Sequence, residues 1–109
     1  MAFNFHYRLT DKAKTDLDEI VSYIAVELGQ KQAAAAFLDQ VQDAVSQACA
    51  YPQSGALVDN EYLQIRTVRK KPVGNYILFY YPDMEAQTIY VLRVIYGRRN
   101  LEQILMNIQ

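Results

Sequence analysis

With a single cysteine, Cys49, the chain has no partner for an intrachain disulfide and no cysteine-based metal cluster, and its single histidine, His6, leaves too few soft ligands for a zinc site. No metal and no cofactor are therefore expected. No apolar run approaches the roughly 20 residues that cross a bilayer, and no apolar signal core follows a basic start, so a soluble, cytoplasmic protein without membrane association is expected. A large excess of one charge is also lacking. The formal net charge is −1 and the pI about 5.7, which argues against a protein that holds nucleic acid mainly by neutralising phosphates.

What is present is the composition of one folded domain. At 109 residues, 51% hydrophobic and 21% charged, the chain can bury one core but not a second independent one, and residues 1–109 are read as a single domain. The near-neutral total hides a polarity. Residues 1–55 carry four cations against seven carboxylates, whereas residues 56–109 carry seven against five. The cations gather in the second half. The most informative stretch among them is Arg93-Val94-Ile95-Tyr96-Gly97-Arg98-Arg99-Asn100, where an apolar strand runs into adjacent arginines beside a phenol. Such a surface suits phosphate, carboxylate or an acidic partner. The plain alternative is a solvated helix start whose charges serve solubility.

Phe3, Phe5, Tyr7 and Leu9 alternate with polar residues, which predicts a first strand over 3–9 with those four on a buried face and His6 exposed. Thr10 or Asp11 can cap a helix whose early turns hold Asp16, Asp18 and Glu19, as the helix dipole favours. Its stripe of Ala13, Leu17, Ile20, Val21, Ile24 and Leu28 predicts a run to about Leu28, stopped by Gly29. A second helix over 31–50 follows so closely that the two form an antiparallel hairpin. It places Ala34, Phe37, Leu38, Val41, Ala44, Val45 and Ala48 on one face, with Cys49 as a small buried helical residue.

Pro52, Ser54 and Gly55 end that helix and open a loop to about Tyr62. Leu63, Ile65 and Thr67 then alternate as a second strand leading into Arg69-Lys70-Lys71-Pro72 and a turn at Gly74-Asn75. Residues 76–81 form a third strand, Pro82-Asp83-Met84-Glu85 a turn, and residues 88–96 a fourth strand. The last two strands are apolar on both faces. One face meets the helices, and the other must be covered by the C-terminal segment, a partner, or both. Asn100 can cap a short final helix bearing Leu101, Ile104, Leu105 and Ile108. The fold class is α+β: an N-terminal strand, a two-helix hairpin packed on a mainly antiparallel four-stranded sheet, and a short C-terminal helix.

Four strings in this order resemble one family. Ala13-Lys14-Thr15-Asp16-Leu17-Asp18-Glu19-Ile20-Val21-Ser22-Tyr23-Ile24 is similar to an A-x-x-D-L-x-x-I-x-x-Y-I run in the first helix. Pro52 and Gly55 match a P-x-x-G after the second. Residues 75–81 and 91–100 match the last two strands. Over nearly its whole length the chain resembles the RelE/ParE superfamily of toxins from type II toxin–antitoxin systems.

The resemblance implies one of two activities. RelE-like members cut messenger RNA on the ribosome, and ParE-like members poison DNA gyrase without a known hydrolytic site. RNA cleavage at the 2′-hydroxyl needs a proton acceptor, a proton donor and cations for the phosphorane. RelE-like nucleases place an arginine just before a Leu-Val-Tyr run in the third strand, where this chain has Ile77. Many carry a histidine at the end of the last strand, where this chain has Tyr96, a phenol in place of an imidazole.

The expected function is therefore a ParE-like gyrase inhibitor, not an enzyme, that blocks replication and causes growth arrest. A RelE-like ribosome-dependent nuclease and a non-toxic antitoxin-binding homologue are the alternatives. Under the ParE-like reading Arg66, Lys70, Arg93, Tyr96, Arg98 and Arg99 contact the target. The resemblance further implies a cognate antitoxin, ParD-like with a ribbon-helix-helix module, that forms a hetero-oligomer with the toxin and binds operator DNA on its behalf. Tyr23, Leu38, Tyr81, Arg98 and Arg99 are the expected antitoxin contacts.

Overall fold

The computed structural model describes residues 4–58 and 67–98. Strand β1 (His6–Leu9) leads into helix α1 (Asp11–Ser22), and helix α2 (Lys31–Ala50) returns antiparallel to it. Strands β2 (Ala56–Leu57), β3 (Arg69–Val73), β4 (Tyr76–Asp83) and β5 (Thr88–Tyr96) follow. They form a five-stranded sheet in the order β1-β5-β4-β3-β2, antiparallel except for the β1–β5 pair. The α+β class and the central β4–β5 hairpin hold; the strand count of four does not. The additional strand is the two-residue β2, in a segment expected to be loop.

The first helix begins as its sequence dictates. Thr10 is the N-cap, its Oγ1 accepting from Ala13 N at 3.1 Å. Its end differs from expectation. After Ser22 the chain widens into a π-helical turn, Tyr23–Glu27, and Leu28 N donates to Tyr23 O five residues back. Gly29, with φ +65°, then reverses the chain at no side-chain cost. The second helix spans the expected residues, and Ala34, Phe37, Val41, Ala44, Val45, Ala48 and Cys49 are buried. Leu38 departs from that stripe at 43% exposed.

Three further expectations need correction. The first strand is only His6–Leu9, and Tyr7, assigned to its buried face, is 58% exposed because β1 is the sheet's edge and the helices overlap it only in part. Phe3 lies outside the described residues, as do Leu63 and Ile65. Thr67 and Val68 are not in a strand; β3 begins at Arg69 and includes Pro72. Pro72 is tolerated because β2 pairs only with Arg69 and Lys70, so past them β3 is an edge that needs no further N–H. The fourth strand matches its expected bounds, but β4 runs on to Asp83 and the turn falls at 84–87, with Gln87 at φ 50°. The expected C-terminal helix lies outside the described residues.

The sheet carries apolar side chains on both faces. Toward the helices, Leu78, Tyr80, Ile89, Val91 and Val94 join Ala13, Phe37, Val41 and Ala48 in the main core. Away from them, Val68, Phe79, Leu92 and Ile95 form a second buried cluster. Each such large side chain contributes on the order of 1.5–3 kcal/mol when fully buried.

A bulge breaks the β4–β5 ladder. Phe79 pairs with Arg93 but Tyr80 with Val91, so one step on β4 spans two on β5 and Leu92 is the extra residue. The disturbed edge of β5 lies where β1 has ended, and the start of α1 fills it. Thr10 N donates to Val91 O at 3.0 Å, and Thr10 Oγ1 to Leu92 O at 2.9 Å. Asp16 Oδ2 accepts from Val94 N at 3.0 Å and from Arg93 Nε at 2.7 Å, while Asp16 Oδ1 accepts from Arg93 Nη2 at 2.9 Å. Asp16 is thus a buried connector between helix and sheet, not merely a charge placed for the helix dipole.

Candidate functional site

The end of β5 meets the start of β4, and register makes a tyrosine cluster there. Tyr76 faces Tyr96 across the ladder, and their rings meet edge to face at 5.5 Å. Phe37 of α2 packs edge to face on the other side of Tyr76 at 5.1 Å. The turn before β4 uses Gly74 at φ +60°, and Gly97 N donates to Asn75 O at 2.9 Å, closing the chain after β5 onto that turn. Arg98 emerges exposed from this closure. Burial pushes the Tyr76 phenol above its usual value of 10, reinforced by the neighbouring phenols Tyr23 and Tyr96. Tyr23 is half exposed and Tyr96 39% exposed. An accessible aromatic surface therefore lies beside an exposed arginine.

The raised Tyr76 phenol has a consequence for stability. The folded state holds its proton to higher pH than the unfolded chain, so its stabilising contribution is complete below about pH 10 and is lost as pH rises through the folded value. Wild-type protein is expected to lose urea resistance between about pH 8 and pH 11 more steeply than Tyr76→Phe. Equal slopes for the two proteins would contradict this.

The structure gathers some of the expected site residues and scatters others. Tyr23, Tyr96 and Arg98 lie at or beside the tyrosine cluster. Arg93 does not present a free cation: its guanidinium is engaged by Asp16, and its pKa is raised chiefly by that hydrogen bond. Lys70 is exposed on β3, one residue from buried Lys71, which donates to Gln47 Oε1 at 3.1 Å and whose pKa burial lowers. Tyr81 stacks on Tyr90 at 6.4 Å, on the face turned away from the helices, and lines a cleft of about 540 Å³ with Arg69 and Met84. Leu38 borders a separate apolar groove of about 380 Å³ beside β1. Arg66 and Arg99 lie outside the described residues. Sequence reasoning missed Tyr76, which only cross-strand register joins to Tyr96, and Asp16, whose partner stands 77 residues away. Among the described residues no group of three or more His, Cys, Asp or Glu side chains could hold a metal ion.

Such a surface can bind by stacking, hydrogen bonding and ion pairing. Comparison with known proteins gives it a context. Residues 7–101 match the model of the ParE toxin of type II toxin–antitoxin systems. Among solved structures, the chain is similar to one in the RelBE2 toxin–antitoxin complex from Mycobacterium tuberculosis, at 22% identity and a TM-score of 0.58, covering 85% of this chain and 98% of that one. It is also similar to one in the chromosomal ParDE system from P. aeruginosa, at 19% identity and a TM-score of 0.63, covering 84% and 95%. No curated protein matches the chain.

Proposed function

We propose a function from this premise: the chain belongs to the ParE toxin family of type II toxin–antitoxin systems. Its target is DNA gyrase, which it inhibits by binding and not by hydrolysis. The observation that carries this reading is the chemistry of two positions, Ile77 on β4 and Tyr96 on β5. Where RelE-like nucleases hold an arginine, Ile77 sits partly buried against the second apolar cluster. Where many hold a histidine, Tyr96 sits against Tyr76. Arg93, an internal cation of β5, is bound to Asp16. A phenol cluster offers neither a proton acceptor near neutrality nor a second charge for a phosphorane. Arg98 and Tyr96, with Lys70, Arg66, Arg99 and the edge of Arg93, are the proposed target contacts.

The two similar structures named above come from a toxin–antitoxin complex and a toxin–antitoxin system, and this chain is proposed to bind an antitoxin likewise, through Tyr23, Leu38, Tyr81, Arg98 and Arg99. Leu38 lies on the helix side and Tyr81 on the opposite face of the sheet. An antitoxin that reaches both must wrap the molecule.

Purified protein is expected to inhibit gyrase supercoiling, with Arg98→Ala weakening inhibition about tenfold or more, the loss of a charge-assisted contact of roughly 1.5–3 kcal/mol. No messenger RNA cleavage is expected on translating ribosomes. Cleavage that Arg98→Ala abolishes would assign the chain to the nuclease branch instead.

A further inference from the structure

The cleft at the far end of β4 holds opposite charges that do not meet. Its volume is about 540 Å³, and it is lined by Arg69 of β3, by Tyr81 and Asp83 of β4, and by Met84 and Glu85 of the turn that follows. Arg69 forms the cationic side. Its Nη1 donates to Gln53 O at 3.1 Å and to Gly55 O at 2.7 Å, which fixes the guanidinium against the loop after α2. Its Nε is buried without a hydrogen-bond partner, and it forms no ion pair with a carboxylate among the described residues. A partly buried guanidinium with donors to spare and no counter-ion is where an incoming carboxylate gains most, because the bond is charge-assisted and completes an unsatisfied group.

The other side is acidic. Asp83 Oδ1 accepts from Ala86 N at 3.0 Å, so the turn holds this carboxylate while its second oxygen stays open. Glu85 is exposed and makes no hydrogen bond or ion pair among the described residues. Tyr80 is the cross-strand partner of Arg69, and Asp83 stands three residues beyond it on β4, which is about 10 Å at roughly 3.3 Å per residue. Tyr81 and the exposed Met84 supply apolar wall to the same cleft. Charge chooses the ligand. A simple anion meets repulsion from Asp83 and Glu85, and a simple cation meets it from Arg69, whereas a molecule with one charge at each end meets neither. We propose that this cleft binds a small extended zwitterion, an ω-amino acid whose carboxylate pairs with Arg69 and whose ammonium pairs with Asp83 and Glu85. Its methylene chain lies along Tyr81 and Met84, as aliphatic stems of charged groups do on apolar surface. Five methylenes set the two charges about 7 Å apart when extended, a length that side chains reaching in from both ends of the cleft can bridge.

The test titrates the isotope-labelled full-length protein with 6-aminohexanoate, and separately with hexanoate and with hexylamine, each of which lacks one of the two charges. Amide resonances of Tyr81, Asp83, Met84 and Glu85 are expected to shift saturably, with the zwitterion binding at least about tenfold tighter than either control. Arg69 is left in place because it also holds the loop. The double variant Asp83→Asn, Glu85→Gln removes the acidic end instead, and the new Asn carbonyl can still accept from Ala86 N. It is expected to weaken 6-aminohexanoate about tenfold while leaving hexanoate no weaker, and thermal melts establish that the variant remains folded. Absence of saturable shifts, a control that binds as tightly as the zwitterion, undiminished binding to the double variant, or shifts centred outside the cleft overturns the proposal. None of these readouts involves gyrase or an antitoxin, so this proposal and the proposed function fail separately.

Discussion

Asp16→Ala is expected to cost about 3–5 kcal/mol of folding stability, the usual consequence of removing one partner of a buried ion pair. Its side chain and that of Arg93 are only 8% and 16% exposed. Removing the carboxylate strands the Arg93 guanidinium and the Val94 N–H at the same moment, because Asp16 Oδ2 serves both. The Val94 N–H lies beside the Leu92 bulge, in an interior from which water cannot readily replace the lost acceptor. Against a typical domain stability of roughly 5–15 kcal/mol, such a loss leaves a marginal fold. Urea denaturation of wild type, Asp16→Ala and Asp16→Asn measures it. Asn should fall between the other two, since its carbonyl can still accept from Val94 while the charge is gone. A change below about 1 kcal/mol for Asp16→Ala would mean that the pair contributes no more than an exposed salt bridge.

The second large effect is expected at Gly55. A Cβ there would stand 2.7 Å from the Tyr80 hydroxyl and 2.8 Å from the Lys70 carbonyl oxygen. Gly55 N donates to Tyr80 Oη at 2.9 Å, Tyr80 Oη donates to Pro52 O at 2.8 Å, and Arg69 Nη1 donates to Gly55 O at 2.7 Å. The fully buried Tyr80 thereby ties the loop after α2 to the middle of the sheet. Gly55→Ala is expected to cost about 3 kcal/mol or more, combining overpacking of roughly 1–3 kcal/mol with buried hydrogen bonds of similar size left unmade. Tyr80→Phe removes the nearest clashing atom along with the hydrogen bonds. The double variant should therefore be less destabilised than the sum of the singles, a coupling that a double-mutant cycle reads directly. Strict additivity would show that the hydroxyl is not what holds the loop.

These two positions differ in how far the sequence announced them. Gly55 was legible as part of a Pro-x-x-Gly stop after the second helix, though the reason for the glycine was not: it is the approach of Tyr80, 25 residues away. Asp16 carried, beside its place in the first-helix family string, a local signal, the preference of a helix start for negative charge. That signal was true and incomplete. The expected target arginines divided in the same way, since Arg93 belongs to a strand by its neighbours but turns out to be bound by a helix. The tyrosines of the candidate site were visible one by one, yet Tyr76 and Tyr96 meet only because of the β4–β5 register.

What the sequence determined by itself was the periodic part of the protein. Three-to-four spacing marked the second helix from Lys31 to Ala50, because apolar period follows directly from backbone geometry, and a β-branched, apolar run after a turn marked the last strand from Thr88 to Tyr96. The capping hydroxyl of Thr10 and the stop at Gly29 are equally local. Tertiary structure alone decided that β1 joins β5 in parallel and lies at the sheet's edge, which leaves Tyr7 exposed beside a groove instead of buried in the core. It also decided the Leu92 bulge, the Asp16–Arg93 connection and the tyrosine cluster. Each depends on which distant segments become neighbours, and no residue's own propensity encodes its partner.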